Sequence, residues 1–181
     1  MQKLLLHVCC APCATSVLER LLSEEKYEIT AFFSNSNIMP AEEYEKRKAE
    51  LVKLLQLVYP QVKLIEDEYN NAEFLEVVKG LETEKEGGSR CAKCIKYRLA
   101  RTAQYGAKNG YDLFCTTLSV SPHKNAELIN LVGQGLASDY GIEFLPANFK
   151  KQNGYLRSIE LCKLYKIYRQ NYCGCRLTQG E

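Results

Sequence analysis

Short apolar runs alternate with longer amphipathic segments along most of this chain. The runs have the length of strands, and several are apolar almost throughout, which is typical of strands buried on both faces of a parallel sheet. We therefore predict five strands, at residues 3–8, 27–33, 62–66, 112–117 and 142–145.

The segments between these strands carry apolar residues at helical spacing. In residues 41–58, for example, Leu51, Leu54 and Leu55 fall on one side of a helix, and Pro40 suits its first turn. Regular alternation of strands with helices predicts an α/β fold built on a parallel sheet. The predicted helices are 14–22, 41–58, a short one around 74–78, 92–108, 124–138 and 155–168.

The length of 181 residues fits one domain, and we predict a single catalytic domain over residues 1–181. Hydrophobic residues make up 46% and charged residues 25%, the profile of a globular protein in water. No apolar run approaches the length of a membrane span, and the opening MQKLLLHVCC is predicted as the first strand rather than a signal peptide. We therefore expect a cytoplasmic protein with no membrane partner.

The net charge of +2 is unevenly distributed along the chain. Residues 66–86 carry eight acidic side chains against two basic ones, and residues 150–181 carry seven basic side chains against two acidic ones. A basic C-terminal third fits a polyanionic partner and fits an ordinary solvated surface equally well.

Nine cysteines are present, and seven of them fall into three clusters. In a reducing compartment, clustered cysteines indicate metal binding or redox catalysis rather than structural disulfides. Cys115 and Cys162 fall inside a predicted strand and a predicted helix, and we assign both to the core. The clustered cysteines are Cys9, Cys10 and Cys13 after the first strand, Cys91 and Cys94 at the start of a helix, and Cys173 and Cys175 near the C-terminus.

The surroundings of these clusters favour bound anions and metals. Ligands of open parallel sheets bind beyond the carboxyl ends of strands, and helix N-termini favour thiolates. Cys9 and Cys10 are adjacent, so they reach one site only if the chain turns there, and otherwise they bridge two neighbouring centres. Cys173 and Cys175 are able to close a small strained disulfide of the labile, catalytic kind.

The number of clustered cysteines argues against structural zinc, which takes four ligands. A four-thiolate iron–sulfur cluster would leave three cysteines for a second metal or a redox pair. The residues alone therefore predict a metal-dependent redox site and leave the division of the seven cysteines open.

Six segments carry a pattern that extends beyond the cysteines. They are HVCCAPC (7–13), FFSNSNIMPAEEYEKRK (32–48), DEY (67–69), RCAKCIKYRLARTA (90–103), TTLSVSPHKN (116–125) and YRQNYCGC (168–175). With these segments in this order, the chain resembles the epoxyqueuosine reductases of the QueH type over nearly its whole length. Met39 departs from the family pattern, which has histidine at that position.

The resemblance implies a Rossmann-like parallel sheet of the adenine-nucleotide α-hydrolase type, with helices on both faces and a helical C-terminal extension. It implies a cobalamin-independent enzyme that removes the epoxide oxygen of epoxyqueuosine in tRNA, the last step of queuosine biosynthesis. It also implies a 4Fe–4S cluster with a second mononuclear iron or a redox-active cysteine pair nearby, and an electron donor that the sequence does not name.

The resemblance further implies a division of the seven clustered cysteines between two functions. The cluster ligands that it carries over by position are Cys9, Cys10, Cys91 and Cys94. The redox-active pair, or the ligands of the second iron, would be Cys173 and Cys175, with Cys13 as a further candidate for that second site.

Removing an epoxide oxygen as water takes two electrons and two protons, so the site also needs an acid. The candidate acids are His7, His123, Tyr69 and Tyr172, and Asp67 is expected beside the pocket because it follows the third strand. His7 fits a core histidine as well, and His123 fits a surface position before a helix.

Contact with RNA requires cations and rings on which bases stack. The cationic candidates are Arg90, Lys93, Arg98, Lys124, Lys150, Lys151 and Arg157, and the candidates for stacking are Tyr155 and Tyr172.

Three other functions compete with this hypothesis. An ATP-using tRNA thiolase of the same fold superfamily needs a Gly- and Ser-rich phosphate loop after the first strand, and this chain has CCAPC there, so we expect no ATP binding. A zinc-stabilised RNA-binding module would leave the additional cysteines without a function. A thiol–disulfide oxidoreductase of the thioredoxin kind needs a single CxxC rather than seven clustered cysteines.

Overall fold

The computed structural model describes residues 1–175. The strands are β1 (Gln2–His7), β2 (Tyr27–Phe33), β3 (Lys63–Glu66), β4 (Leu113–Thr116) and β5 (Glu143–Phe144). The helices are α1 (Ala11–Ser23), α2 (Ala41–Val58), α3 (Asn71–Val77), α4 (Ser89–Lys108), α5 (Ala126–Tyr140) and α6 (Gly154–Leu164), and a 3-10 turn, Thr117–Val120, follows β4. Among these described helices, none combines the length and the apolar character that crossing a bilayer requires.

All five strands pair in parallel, in the spatial order β3–β2–β1–β4–β5. β1 occupies the centre of the sheet, where Leu4 pairs with Ile29 of β2 and with Leu113 of β4. The predicted parallel α/β sheet is therefore confirmed, and each strand end lies within one residue of its predicted position.

Alternate residues of the central strand point into two separate cores, one on each face of the sheet. Leu4 and Leu6 pack on the side of α1, α2 and α6, whereas Leu5 packs against α4 and α5. Burial on both faces explains why β1 carries the apolar run Leu4, Leu5 and Leu6. Helices on both faces and a helical C-terminal extension were expected, and both are found; the last helix, α6, packs on α1.

Two helices begin three residues earlier than predicted, and both shifts affect cysteines. α1 begins at Ala11 because Pro12 suits a first helical turn and Cys10 precedes it in an extended conformation. Cys13 therefore lies in the first turn of α1. α4 begins at Ser89, so both cysteines of its CxxC motif lie on the helix rather than partly before it.

Two further helix boundaries are corrected by local backbone chemistry. α5 begins at Ala126 because the side chain of Asn125 caps the first free N–H groups, which leaves Lys124 in the preceding loop. α6 ends at Leu164, four residues before its predicted end, because the left-handed Lys166 (φ 53°) turns the chain away.

The order of the strands places a crevice beside β1. The chain leaves β1 toward β2 on one side and adds β4 on the other, so the strand order reverses between β1 and β4. Ligands of open α/β sheets bind at such a reversal, beyond the carboxyl ends of the two strands. Cys9 follows β1 and Thr117 follows β4 at this point.

The two cysteines assigned to the core are buried as predicted. Cys115 of β4 and Cys162 of α6 lie in the core between the sheet and α1. Burial raises the pKa of the Cys115 thiol to about 12, so this side chain stays protonated and acts as a small apolar group.

Candidate metal centre

The first cysteine cluster forms a compact group at the crevice beside β1. The sulfur atoms of Cys9, Cys10 and Cys13, which we call the first cysteine group, lie within 4.8 Å of one another, and those of Cys9 and Cys10 are 3.8 Å apart. The chain bends at Cys9, so the two adjacent side chains point the same way. A tetrahedral metal with metal–sulfur bonds of about 2.3 Å holds its sulfur ligands about 3.8 Å apart, so this group has the dimensions of a metal site.

The neighbours of Cys9 favour its thiolate. Hydrogen bonds from Cys10 and Cys13 lower the pKa of Cys9 well below its ordinary value, and the charge of Arg98 adds to the effect. The Thr117 hydroxyl accepts a 3.2 Å bond from the Cys9 backbone N–H and lies 3.3 Å from the Cys9 sulfur. Conversely, the pKa of Cys13 is raised well above its ordinary value because Cys13 donates to Cys10 and Cys9. Because metals bind the thiolate form, Cys9 is prepared for a cation.

A cavity of about 480 Å³, which we call the main cavity, opens over the first cysteine group. Its size is typical of a small-molecule site and is sufficient for a nucleoside. The walls come from α1, the loop before α5, the start of α6 and the C-terminal segment. Residues that line it include Cys9, Cys10, Cys13, Arg98, His123, Lys124, Tyr155, Arg169, Gln170, Tyr172 and Cys173.

Four cysteines from distant parts of the chain meet around a second, much smaller cavity. Cys91 and Cys94 lie one turn apart at the start of α4, and Cys173 and Cys175 come from the C-terminal segment. All four, the second cysteine group, line a cavity of about 20 Å³. Cys173 also borders the main cavity, so the two groups are neighbours across one wall.

The predicted set of cluster ligands draws on both groups. It combines Cys9 and Cys10 of the first cysteine group with Cys91 and Cys94 of the second. Within residues 1–175, the first cysteine group is the one set of three or more metal-ligating side chains whose ligand atoms all lie within 4.8 Å of one another. The division of the cysteines among metals therefore stays a prediction, and the geometry offers a second way to divide them.

A buried arginine fixes the C-terminal segment that carries half of the second cysteine group. Arg47 of α2 donates 3.0 Å hydrogen bonds from Nη1 and Nη2 to the backbone carbonyls of Cys173 and Tyr172. Its Nε donates to Glu43 at 2.8 Å, and its guanidinium lies 4.9 Å from the centre of the Tyr172 ring. Both cysteines of the segment are thus held in place by a residue of the second helix.

Gly174 marks the closest approach of this segment to the loop after β2. It has φ of +122°, and a Cβ at this position would lie 3.0 Å from Ile38 and 3.1 Å from Nη1 of Arg47. The carbonyl of Gly174 accepts from the Met39 N–H at 2.8 Å, and the Tyr172 hydroxyl donates to the Met39 carbonyl at 2.8 Å. Only glycine fits this position without displacing the two flanking cysteines.

A buried cation, Arg98, and a partly buried one, Lys124, form the wall between the cysteine groups. Arg98 is 2% exposed, donates from Nη2 to Oδ1 of Asn35, and has no partner for its Nε within the described chain. Lys124 donates from Nζ to the Cys173 sulfur at 3.3 Å. Burial opposes the charge of Lys124, but the charge of Cys173 and its hydrogen bond raise the pKa of Lys124 above its ordinary range.

These cations have no carboxylate to balance them. Among residues 1–175, neither Arg98 nor Lys124 forms an ion pair with Asp or Glu. Burying a charge without a counter-ion is unfavourable, with a cost on the order of several kcal/mol. Glu86 lines both cavities without an ion pair to either cation, and the other anionic groups within reach are the cysteine thiolates, so the wall is suited to a negatively charged centre.

The two histidines have different surroundings. His7 is fully buried, lies with Nε2 3.2 Å from the Ser34 carbonyl and with Nδ1 2.8 Å from Oγ1 of Thr116. Burial, together with the charge of Arg98, lowers the pKa of His7 to about 3. His7 is therefore a neutral core histidine, the alternative that the sequence left open. His123 is exposed and lines the main cavity.

Asp67 and Tyr69 line neither of these cavities, contrary to the expectation for Asp67. Asp67 makes two hydrogen bonds with Arg101, one of 2.9 Å, and accepts from the Ser34 hydroxyl at 2.7 Å. Burial opposes its ionisation, but the bonds from Arg101 and Ser34 hold the pKa of Asp67 below its ordinary value. The Tyr69 hydroxyl donates to the Ile38 carbonyl at 2.7 Å. Both side chains therefore support the loop after β2.

Burial sorts the predicted RNA contacts. Arg90 and Arg98 are almost completely buried, so neither offers its charge to an RNA backbone at the protein surface, although Arg98 lines the main cavity. Arg90 instead donates to the backbone carbonyls of Leu81 and Glu82. Lys124 faces the cysteine groups rather than solvent. The exposed cationic candidates are Lys93, Lys151 and Arg157, with Lys150 partly buried.

The structural role of Arg47 and the burial of Arg98 were not predicted from the sequence. Each arginine lies inside the apolar stripe of its helix, Arg47 between Tyr44 and Leu51, and Arg98 beside Leu99. A charged residue within such a stripe is a signal for a buried ion, because a solvated arginine belongs on the opposite face.

Fold and site together define an α/β protein with a cysteine-lined centre at the reversal point of a Rossmann-like sheet. A model of the family described as epoxyqueuosine reductase QueH matches residues 4–181. The chain therefore belongs to the epoxyqueuosine reductase QueH family, and it is an oxidoreductase.

Individual relatives agree with this assignment. A Streptococcus pyogenes protein named epoxyqueuosine reductase QueH is 45% identical over 176 residues, which cover 95% of this chain and 68% of the relative. A Thermotoga maritima protein with the same name is 38% identical over 178 residues, which cover 97% of this chain and 89% of the relative.

A solved structure supports the fold. A Methanocaldococcus jannaschii protein, described as a predicted subunit of a tRNA methyltransferase, superposes with a TM-score of 0.56. The match covers 90% of this chain and 74% of that protein at 15% sequence identity, so it concerns the fold alone.

Proposed function

We propose that this chain reduces epoxyqueuosine in tRNA to queuosine, the last step in the biosynthesis of that nucleoside. In this reaction two carbon–oxygen bonds of the epoxide break and a carbon–carbon double bond forms. The oxygen leaves as water after uptake of two electrons and two protons. The names of the relatives support the substrate.

One observation carries the proposal. Seven cysteines form two adjacent groups on either side of the cations of Arg98 and Lys124, beside a cavity large enough for a nucleoside. Seven soft sulfur ligands, together with uncompensated positive charge, suit anionic iron–thiolate centres better than a single structural zinc.

The donor sets fit two centres of different kinds. The first cysteine group has the sulfur spacing of one metal ion, and the second supplies the four thiolates that an iron–sulfur cluster takes. The cluster ligands in this proposal are Cys91, Cys94, Cys173 and Cys175. The ligands of a second, mononuclear iron are Cys9, Cys10 and Cys13.

The family resemblance supports a different division. In that alternative, the cluster binds Cys9, Cys10, Cys91 and Cys94, and Cys173 and Cys175 act as a redox-active pair or hold the second iron. Both divisions need all seven cysteines, but they differ in which single substitution removes the cluster.

When bound, the two centres would supply electrons and a Lewis acid for the epoxide oxygen. The protein's own residues bind, shield and protonate. Arg98 and Lys124 balance the charge of the thiolates, and Lys124 fixes the Cys173 sulfur. His123 faces the main cavity, and we assign to its imidazole one of the two protons that the departing oxygen takes up, the other coming from water.

Asp67 and Tyr69 act as positioning residues in this proposal. Through Ser34 and Ile38 they fix the loop after β2. That loop carries Met39, which in turn binds the carbonyl of Gly174 between the two C-terminal cysteines. A change at Asp67 or Tyr69 would therefore reach the site through the C-terminal segment.

We further propose that residues 1–181 act as one iron–sulfur catalytic domain. The main cavity is lined by both ends of the chain, from Cys9 to Cys173, and the smaller cavity joins α4 to the C-terminal segment, so neither half forms the site alone. The electrons come from a separate donor. A cytoplasmic location suits both reduced thiols and a tRNA substrate.

The test is a single-enzyme conversion. The protein is purified and loaded with iron and sulfide without oxygen, then mixed with a chemical reductant and tRNA that carries epoxyqueuosine. Digested nucleosides are counted by mass spectrometry. We expect queuosine to form with the wild type and with Cys162→Ala, a matched substitution of a core cysteine, and no queuosine to form with Cys10→Ser or Cys175→Ser. No conversion by the iron-loaded wild type would contradict the proposal.

A further inference from the structure

A groove of about 300 Å³ lies beside the main cavity, between α1 and the first turn of α6. The two sites share both helices. On α1, Cys13 lines the main cavity and Ser16, one turn later, lines the groove. On α6, Tyr155 lines the main cavity and Gly154 lines the groove. The groove is therefore about one helical turn, roughly 5 Å, from the first cysteine group.

A buried hydroxyl in this groove has no partner. Ser16 is 7% exposed, and its Oγ makes no hydrogen bond within the described chain. Buried polar groups are nearly always hydrogen-bonded, so an unpaired hydroxyl in the wall of a groove indicates a missing polar ligand.

The charges around the groove favour an anion. Arg20, Lys151 and Arg157 line it, with Glu19 as the acidic residue among them. Glu19 is occupied by Arg157, whose Nε and Nη2 donate to it at 2.9 and 2.7 Å. Among the described residues, Arg20 and Lys151 form no ion pair, so two positive charges remain unbalanced.

The start of α6 adds backbone donors after Gly154, whose own N–H donates to the Lys151 carbonyl at 3.2 Å. Two left-handed residues, Gln152 (φ 56°) and Asn153 (φ 59°), turn the chain into the helix. A Cβ at Gly154 would lie 1.8 Å from the Phe149 carbonyl oxygen, so the turn is closed to any larger residue. The first N–H groups of a helix favour anions, above all phosphate.

We propose that this groove binds a backbone phosphate of the RNA substrate, next to the nucleotide held in the main cavity. Ser16 and the start of α6 would donate hydrogen bonds, and Arg20 and Lys151 would supply charge. The inference rests on the proposed function, because an RNA with one nucleoside over the cysteines must pass its backbone along a neighbouring surface. Tyr155, between the two sites, is placed to stack on a base.

The test measures RNA affinity with an unmodified anticodon stem-loop, using fluorescence anisotropy of iron-loaded protein over a range of salt concentrations. The test variant is Arg20→Gln/Lys151→Gln. The matched control is Lys108→Gln/Lys163→Gln, which removes two exposed charges that lie outside the groove. We expect affinity to fall at least about tenfold in the test variant and the salt slope to decrease by roughly 1.5. The control should stay within about twofold.

A second variant removes the hydroxyl without changing charge. Ser16→Ala should weaken RNA binding a few-fold at every salt concentration while leaving the salt slope unchanged. Equal losses in the test and control variants, or no loss in either, would overturn the phosphate site. Inorganic phosphate that binds in the groove without weakening RNA binding would also overturn it.

The result separates this inference from the proposed function. Loss of RNA affinity in the test variant, together with no reductase activity in the wild type, would leave the phosphate site standing and reject the reaction. Normal conversion together with unchanged RNA affinity in all variants would reject the phosphate site and leave the proposed reaction standing.

Discussion

The two cysteine groups lie at the same edge of the sheet but are built in different ways. The first comes from five consecutive positions, 9–13, on the bend between the central strand and α1. The second joins the start of α4 to a C-terminal segment that is fastened from outside by Arg47 and by the close fit of Gly174. The first group is therefore as stable as the sheet, whereas the second depends on long-range contacts that can open locally.

This difference indicates where the site can be disturbed without unfolding the protein. A substitution at a ligand removes one centre. A substitution at a residue that holds the C-terminal segment should loosen the second cysteine group and leave the first intact, because among the described residues the two cavities share a single wall, made of Glu86, Arg98, Lys124 and Cys173.

The largest effects are expected from the ligands themselves. In anaerobically loaded protein, Cys10→Ser should lose about one iron and keep its sulfide, whereas Cys175→Ser should lose most of the sulfide. Turnover should fall at least about 100-fold in both. Iron and acid-labile sulfide analysis of the same samples checks this. Loss of sulfide in Cys10→Ser would instead support the division that places Cys9 and Cys10 on the cluster.

Next in size is the loss of the arginine that fastens the C-terminal segment. Arg47→Met removes two hydrogen bonds to backbone carbonyls and leaves Glu43 without its partner, so local stability of the segment should fall by about 3 kcal/mol. Hydrogen exchange of residues 170–175 should rise about 100-fold. Lys48→Met, on the same helix but with surface ion pairs, is the control and should change exchange little. Equal exchange in both variants would mean that Arg47 does not hold the segment.

Gly174→Ala should have a smaller effect of the same kind. The new methyl group meets Ile38 and Arg47 in a backbone conformation that disfavours side chains, so we expect a loss of about 1–3 kcal/mol and reduced sulfide content. Gly110→Ala has a comparable φ of +72° but open space around its Cβ, and it separates backbone strain from crowding. Sulfide content in Gly110→Ala should equal that of the wild type.

The wall between the groups should tune the centres electrostatically. Arg98→Gln removes a buried positive charge and should lower the reduction potential of the loaded protein by tens of mV, up to about 100 mV. Spectroelectrochemical titration measures this shift. Arg101→Gln, on the same helix but paired with Asp67, is the control. An unchanged potential in Arg98→Gln would show that the charge does not act on a bound centre.

The smallest effect concerns stability against pH. The folded-state pKa of Asp67 is depressed, so its stabilising contribution is fully present above the unfolded value of about 3.9 and is lost as pH falls through the lower folded value. Asp67→Asn should therefore lower the free energy of unfolding by about 1–2 kcal/mol at pH 7, and its difference from the wild type should disappear below about pH 4. Denaturant unfolding at several pH values measures it. Glu76→Gln, which breaks an exposed pair with Lys79, should show no such gap.

The sheet was accessible from the sequence because its signals are local. Short apolar runs predicted all five strands within one residue, and burial on both faces explains the most apolar of them, those of β1, β2 and β4. The helix ends were less accessible, since they depend on caps and turns, such as the Asn125 cap of α5 and the left-handed Lys166 after α6.

The sequence predicted which cysteines belong to the site but not how the structure groups them. The clusters in the sequence identified the seven cysteines. The neighbours of Cys94, however, depend on how the C-terminal segment returns to α4, and the periodicity of the sequence does not predict such a long-range contact. The same limit applies to Asp67, whose position at the end of β3 pointed to the pocket while its bonds to Arg101 and Ser34 turn it away.

The most direct test of the central claim is the ratio of iron to acid-labile sulfide in the wild-type protein, purified and loaded without oxygen. If the protein holds two centres of different kinds, we expect about five irons and four sulfides, a brown colour and an absorption band at about 400 nm. Equal amounts of iron and sulfide would contradict the mononuclear site on the first cysteine group. A colourless protein that binds zinc alone, even after iron and sulfide are supplied, would contradict the account of both groups.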